Sequence, residues 1–296
     1  MEPPLRFHLF RESLGPRVFR MIAPRVQDGL RISTNRFHHT WHVVCAPGHV
    51  RTLRRILWAA AFDNHPHTMF VLHGGTLEDT PFDAAPSRPV VIACTDHTHL
   101  RHDAIKELLR RIRRRKHPDG TVKLQVHGLA RADALSDGQH KLIVREKREH
   151  RRWPELRVEL IGGAIAFLGP AAALRHASMN LDFLEQPLSR GRSNHHYLDR
   201  DRNRWPEGEV QVFADYREML SDARIERQAA YRELPDMPSH QVDELICERS
   251  YIRSLHRLER QKEARKNTLA VRSREALVSS EQAPPSASIE AAGSRR

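Results

Sequence analysis

The sequence has few cysteines and no long hydrophobic segment. Its three cysteines show no paired spacing, which excludes a disulfide framework and a four-cysteine zinc site: they are Cys45, Cys94 and Cys247. The longest apolar run, 161–174, is shorter than the ~18 residues that span a bilayer and is interrupted by glycine and proline. The first residues lack the apolar region of a signal peptide. We therefore expect a cytoplasmic protein that does not cross a membrane.

The sequence motifs of several common enzyme classes are also absent. The chain has no G-x-x-x-x-G-K-[ST] phosphate loop, no G-x-G-x-x-G dinucleotide motif, no G-x-S-x-G nucleophile elbow and no H-E-x-x-H zinc motif. These absences remove the sequence support for P-loop nucleotide hydrolysis, Rossmann dinucleotide binding, α/β-hydrolase chemistry and zinc-protease chemistry.

Positive charge, by contrast, is abundant and arranged in blocks. The 49 lysines and arginines exceed the 37 acidic residues, which gives a net charge of +12 and a pI of about 10.3. Residues 1–60 contain ten arginines against three acidic residues, and the segments 101–116 and 251–274 are similarly biased. Blocks of one sign build a surface potential that can hold an anion.

The hydrophobic pattern between 41 and 127 predicts an α/β (α+β) fold. Strands are expected at 41–45, 69–73, 90–94 and 122–126, with amphipathic helices at 49–63 and around 105–112. The resulting order, β-α-β-β-α-β, is that of a ferredoxin-like sheet with two helices on one face. A three-layer α/β sheet would produce a similar order.

The remaining segments predict further strands, then helices. The expected elements are strands at 141–145, 156–161, 164–168 and 210–213, a hairpin turn at Gly162-Gly163, a long loop over 186–209, and helices over 215–234 and from Ser239. This pattern suggests four regions: a basic N-terminal segment (1–40), an α/β domain (41–213), a helical region (214–278) and a disordered tail (279–296).

Histidines form the most unusual cluster of the sequence. The segment His97-x-His99-x-x-His102, preceded by Asp96, follows a predicted buried strand and precedes a predicted helix. Ligands often bind at the carboxyl ends of strands in α/β sheets, and imidazole is the commonest metal ligand. These four residues are therefore candidate metal ligands. The alternative is a set of surface histidines in a basic chain, with Asp96 in a capping or loop role.

The same segment resembles the metal motif of the metallo-β-lactamase fold. In this sequence, however, Arg101 occupies the place of the aspartate that is a first-shell ligand of the second metal in that family. The strands that precede the motif in that family are also not evident, and we set this resemblance aside.

A second resemblance is to the HUH nucleases. The pairs His97-Thr98-His99 and His65-Pro66-His67, together with the predicted sheet, are similar to the His-hydrophobic-His metal pair and ferredoxin-like sheet of these enzymes. The resemblance implies a nuclease or strand transferase that uses Mg²⁺ or Mn²⁺. Its nucleophile would be a tyrosine on a helix after the sheet, which here points to Tyr216 or Tyr231.

The basic blocks predict nucleic-acid binding without catalysis, which is the leading hypothesis. Arginine suits this role because its guanidinium matches phosphate oxygens, and a neighbouring tryptophan could stack on a base. The candidate contacts are Arg110, Arg111, Arg113, Arg114, Arg115, Lys116, Lys147, Arg148, Arg151, Arg152 and Trp153. The alternatives are the HUH-like nuclease and an interaction protein that docks a partner through an amphipathic helix over 239–266. A solvated helix face is the simplest explanation of such charge.

Overall fold

A computed structural model describes residues 5–25, 29–37, 40–81, 86–124, 126–135, 156–185, 195–199 and 210–281. The strands in these ranges are β1 (Leu5–Leu14), β2 (Arg17–Pro24), β3 (Ile32–Phe37), β4 (Thr40–Cys45), β5 (Thr68–Leu72), β6 (Val90–Cys94), β7 (Gly120–Leu124), β8 (Arg157–Ile161), β9 (Ala164–Gly169), β10 (His195–Asp199) and β11 (Val210–Phe213). The helices are α1 (Pro47–Phe62), α2 (His102–Arg114), α3 (Leu129–Leu135), α4 (Ala171–Asn180), α5 (Tyr216–Glu233) and α6 (Ser239–Glu281).

Seven strands form a mixed sheet in the order β7-β1-β2-β5-β6-β9-β8. The pairs β2–β5 and β6–β9 are parallel, and the other pairs are antiparallel. Helices cover both faces of this sheet. The stripe of α2 packs with Met69 and Val71 of β5 on one face, whereas α1 and α4 pack with Phe70 and Leu72 on the other. Burial on both faces explains why β5 and β6 are continuous apolar runs.

A smaller sheet has the order β10-β11-β4-β3 and packs on the α1 side. Alternate residues of β4, among them Trp41 and Val43, join the same core cluster as α1. Helix α5 contacts β4 and forms a hairpin with α6. Val242 and Ile246 of α6 pack into a separate small core with alanines of α5.

The charged side chain of Arg54 is enclosed within the protein. Arg54 on α1 is only 3% exposed. Its guanidinium donates to the carbonyl of Ser178 at 2.8 Å and forms ion pairs with Glu185 and Asp133. A buried charge requires such complete pairing, since an unpaired one would be costly. This arginine therefore ties α1 to α3, α4 and the turn that follows α4.

The α/β class is confirmed, but the strands predicted between 41 and 127 do not form a ferredoxin-like sheet. β4 belongs to the smaller sheet, and β7 lies at the far edge of the larger one, next to β1. Helices α1 and α2 cover opposite faces of the larger sheet rather than the same face. The strand order differs from the predicted one because β1 and β2 lie between β7 and β5. The sequence analysis did not identify these two strands.

Most other predicted elements agree with the structure. The hairpin between β8 and β9 turns at Gly162 (φ 60°) and Gly163 (φ 83°), and a Cβ on Gly162 would lie 2.9 Å from the backbone of Lys106. Two predictions need correction: the expected loop over 186–209 contains strand β10, and residues 279–281 belong to α6. The expected strand at 141–145 and residues 282–296 lie outside the described residues. No helix in the described ranges has the length and apolar character needed to span a membrane.

Candidate nucleic-acid interface

Half of the cations predicted on α2 are paired with carboxylates. Arg110 and Arg111 both donate to Glu107, one turn earlier, at 2.6–2.7 Å. These three hydrogen bonds hold the pKa of Glu107 at about 2, well below its ordinary value. Arg115 pairs with Asp119 and lies 3.8 Å from Glu12 on β1. The positive charge of these three arginines is therefore largely neutralised within the protein.

The other half of the predicted cations on α2 face solvent. Arg113, Arg114 and Lys116 are exposed, and none of them forms an ion pair within the described part of the chain. The remaining candidates, Lys147, Arg148, Arg151, Arg152 and Trp153, lie outside the described residues. Of the predicted interface, the structure thus leaves three exposed and unpaired cations at the end of α2.

The sheet beside the end of α2 carries additional cations. Arg6 and His8 lie on the same face of β1 as Phe10, which packs in the core under α2. Across the sheet, Arg6 is directly opposite Lys123 on the edge strand β7. Two like charges in this register normally destabilise an antiparallel pair. The pairing therefore places two exposed positive charges next to each other on this face.

Arg25 extends this cationic face across β1. It follows β2 directly, and its Nη2 donates to the hydroxyl of Thr121 on β7. Thr121 is opposite His8 on β1, so the Arg25 side chain reaches over that strand. The guanidinium therefore lies within about two strand spacings, or about 10 Å, of the Arg6–Lys123 pair.

His73, at the end of β5, connects this face to α2. Its pKa is lowered from the ordinary value, first by burial and then by the nearby charges of Arg113 and His8. The charge of Arg113 thus contributes to the lowered pKa of His73, and we group Arg113 with the cations of the sheet. We call the set Arg6, His8, Arg25, His73, Arg113 and Lys123 the basic sheet surface. Among the described residues, no carboxylate pairs with its two exposed cations on the strands, Arg6 and Lys123, or with Arg25 and Arg113.

The residues predicted to bind a metal are arranged differently from the prediction. Asp96 accepts a hydrogen bond from the backbone N–H of Ala171 at 2.9 Å, so it caps the start of α4. His97, His99 and His102 are exposed. In the described ranges, no group of three or more His, Cys, Asp or Glu side chains is arranged to hold a metal ion.

The two histidine pairs nevertheless come together at one edge of the larger sheet. The backbone N–H of His67 donates to the carbonyl of His97 at 3.2 Å. Next to it, the buried Thr98 hydroxyl accepts from the N–H of Thr68 at 3.0 Å and donates to its carbonyl at 3.1 Å. The loops before β5 and after β6 are thus joined, although they are thirty residues apart in the sequence.

An aspartate–histidine dyad lies in the first of these loops. Asp63 accepts hydrogen bonds at Oδ1 from the backbone N–H of His65 at 2.9 Å and from its ring Nδ1 at 2.8 Å. Arg20 on β2 donates to the same carboxylate oxygen at 3.3 Å. The D-x-H spacing of Asp63 and His65 has no distinctive signature in the sequence, where only the pair His65-Pro66-His67 stands out.

The two candidate tyrosines have different surroundings. The hydroxyl of Tyr216 donates to the backbone carbonyl of Asp79 at 3.1 Å. Burial, followed by the charges of Glu78 and Asp79, raises its pKa above the ordinary value, which opposes formation of a phenolate nucleophile. Tyr231 is exposed on α5. Nothing in the structure tests a nucleophilic role for either residue.

The helix predicted to dock a protein partner packs against the protein itself over its first turns and is exposed further along. Val242, Leu245 and Ile246 pack against α5, whereas Ile252 and Leu255 are exposed. The first part of the predicted apolar stripe therefore belongs to the protein's own core. A partner for the second part stays a prediction.

The sequence analysis missed the cations that the sheet contributes. Lys123 alternates with apolar residues in a strand that was predicted, so its exposure could be expected. Arg6 and Arg25 offered no signal, because only strand register brings them next to β7. No protein-family model, curated protein or solved structure matches this chain.

Proposed function

We propose that this protein binds nucleic acid through the basic sheet surface. The observation that carries the proposal is the direct cross-strand pairing of Arg6 with Lys123, extended by Arg25 and Arg113 and without carboxylate partners among the described residues. Phosphates would relieve the repulsion between these cations. The ligand is thus a polyanion with phosphates spaced along a chain.

The arrangement suits a phosphate backbone better than a single small anion. Cations from two strands and one helix are spread over an open face rather than converging on one point. Each phosphate that pairs with a cation releases condensed counterions, and the affinity then depends steeply on salt. Arginine adds the forked geometry that fits two phosphate oxygens.

The test compares two double charge reversals of equal size. Arg6→Glu/Lys123→Glu removes the cross-strand pair, and Arg217→Glu/Arg224→Glu changes two exposed arginines of α5. Affinity for fluorescein-labelled single- and double-stranded DNA and RNA is measured by anisotropy at several NaCl concentrations. Both variants carry the same net charge, so a difference in affinity between them shows that the position of the changed residues matters.

The proposal predicts a loss on the order of a hundredfold for Arg6→Glu/Lys123→Glu, with the slope of log K against log salt reduced by about two. The α5 control should change the affinity much less. Equal losses in the two variants would show a response to net charge alone. No salt-dependent binding by the unmodified protein would contradict the proposal outright.

A further inference from the structure

We call the place where the loops of His65-Pro66-His67 and His97-Thr98-His99 meet the histidine edge. It lies at the opposite end of β5 from His73. Six residues separate His67 from His73, which at roughly 3.3 Å each puts the two ends about 20 Å apart. The edge is next to the carboxyl ends of the parallel strands β6 and β9. The helices that follow these strands, α2 and α4, cover opposite faces of the sheet. Ligands of open α/β sheets bind at such switch points.

The dyad gives this edge a general base. A carboxylate oxygen can only accept, so the His65 Nδ1 that lies 2.8 Å from Asp63 must carry a proton. In the neutral ring, Nε2 is then the free acceptor. The His65 side chain is 67% exposed while that of Asp63 is 7% exposed, so the acceptor can reach a ligand and its carboxylate partner is held inside. Arg20 donates to the same carboxylate oxygen at 3.3 Å and helps to hold it in place.

A second imidazole is attached to the same edge. His97 is exposed, and its backbone accepts the hydrogen bond from His67. His67 itself has a φ of 57°, which side chains other than glycine adopt at a cost. This strained residue is held from both sides, because its carbonyl accepts from the N–H of Arg20 at 2.9 Å. The two loops therefore keep a fixed relation to each other.

An aromatic side chain and a further cation lie beside the dyad. Phe62 is the last residue of α1, directly before Asp63, and is 51% exposed. The guanidinium of Arg175 on α4 lies 5.5 Å from its ring centroid. An exposed ring next to a cation is the combination that stacks a base of single-stranded nucleic acid and holds its phosphate.

We propose that this edge cleaves single-stranded RNA, an inference that rests on the proposed nucleic-acid binding. His65 Nε2 takes the proton of a ribose 2′-hydroxyl, and the oxygen attacks the adjacent phosphorus. As the new P–O2′ bond forms, the P–O5′ bond breaks, and protonated His97 gives its proton to the leaving O5′. The products are a 2′,3′-cyclic phosphate and a 5′-hydroxyl. The two imidazoles exchange their protonation states and return through solvent.

RNA is the substrate because it supplies its own nucleophile. Two imidazoles acting as base and acid are sufficient for attack by a 2′-hydroxyl held next to the phosphorus. DNA lacks that hydroxyl and should bind without being cleaved. Asp63 acts as a positioning residue, since it touches His65 and not the phosphate.

The experiment incubates the full chain with a labelled RNA oligonucleotide in excess EDTA and identifies the product ends by mass spectrometry. Matched substrates are the same oligonucleotide with a single 2′-deoxy linkage and the corresponding DNA. His65→Gln and His97→Gln are compared with His256→Gln, an exposed histidine of α6, and all variants are purified identically. Anisotropy with the uncleavable oligonucleotide measures binding by each variant.

Cleavage that leaves cyclic-phosphate ends, falls at least a hundredfold in both His65→Gln and His97→Gln, and persists in His256→Gln supports the inference. Binding should be unchanged in His256→Gln, and in His65→Gln and His97→Gln it should fall far less than cleavage does. RNA that is bound but not cleaved, cleavage that survives His65→Gln, or cleavage of the DNA would overturn it while leaving the proposed function intact. Failure to bind any nucleic acid would contradict the proposed function as well.

Discussion

The basic turns at the end of α2 and the neighbouring basic sheet surface carry the same kinds of cation but differ in what surrounds them. Arg110, Arg111 and Arg115 each donate to a carboxylate nearby. Arg6 faces Lys123 instead. A run of arginines in the sequence therefore suggests a stronger positive potential than these residues have in the folded protein. The unpaired cations of the sheet are scattered through the sequence and are brought together by the fold. Under the proposed function, the pairing of each cation, rather than the density of positive charge, decides where a polyanion binds.

The largest expected effect concerns an arginine that is paired completely. Arg54→Met would leave Glu185 and Asp133 without their partner, so we expect the free energy of unfolding to fall by about 3 kcal/mol. Urea denaturation measures the change. Arg217→Met, at an exposed position of α5, is the control and should cost about 0.5 kcal/mol or less. Equal losses of unfolding free energy in the two variants would show that burial and pairing of Arg54 do not stabilise the protein more than an exposed arginine does.

Removing a neutralising carboxylate should convert the paired region into a binding region. Glu107→Gln frees Arg110 and, in part, Arg111, which still lies 3.5 Å from Glu12. We expect affinity for nucleic acid to rise roughly threefold and the salt slope to steepen by about one. Glu218→Gln on α5 gives the same change of net charge away from the surface. The comparison fails if both variants bind equally more tightly.

A smaller effect follows from His73. Its lowered pKa means that the folded protein resists protonating it, so its contribution to stability is present above the unfolded value near 6.5 and is lost as the pH falls below it. The pH dependence of unfolding should therefore be weaker in His73→Gln than in the unmodified protein between about pH 7 and 5.

Binding of an anion should raise the pKa of His73, whereas folding lowers it. A phosphate nearby favours the imidazolium, so binding should strengthen as His73 becomes protonated. Affinity should thus increase from pH 7.5 to 6 in the unmodified protein and less so in His73→Gln. Identical pH profiles for the two proteins would show that His73 does not sense the bound anion.

The elements predicted from the sequence are those determined by local pattern. α1 and α2 each present an apolar stripe at helical spacing, and β5 and β6 are short apolar runs next to glycine or proline, so their positions could be read directly. β1 and β2 were missed because arginines and histidines interrupt their apolar residues. The pairing of β1 with β7, more than a hundred residues away, has no local signature.

The candidate site was predictable only in part, for the same reason. The six candidate cations over 110–116 were identified, but the acids that neutralise three of them include Glu12, which the sheet brings next to α2 from a distant part of the chain. Likewise, His65 and His97 were each noticed as members of histidine pairs. The loops that carry them are joined by hydrogen bonds from His67 and Thr68, which no local sequence pattern predicts.

The most direct test uses two arginines of the same run. Arg113→Ala and Arg115→Ala remove identical charges two residues apart, but Arg113 acts on His73 whereas Arg115 pairs with Asp119. Anisotropy titrations at low and moderate salt compare the two variants. We expect Arg113→Ala to weaken binding about five- to tenfold and Arg115→Ala to change it less than about twofold. Equal losses, or a greater loss in Arg115→Ala, would contradict the idea that pairing selects the binding surface.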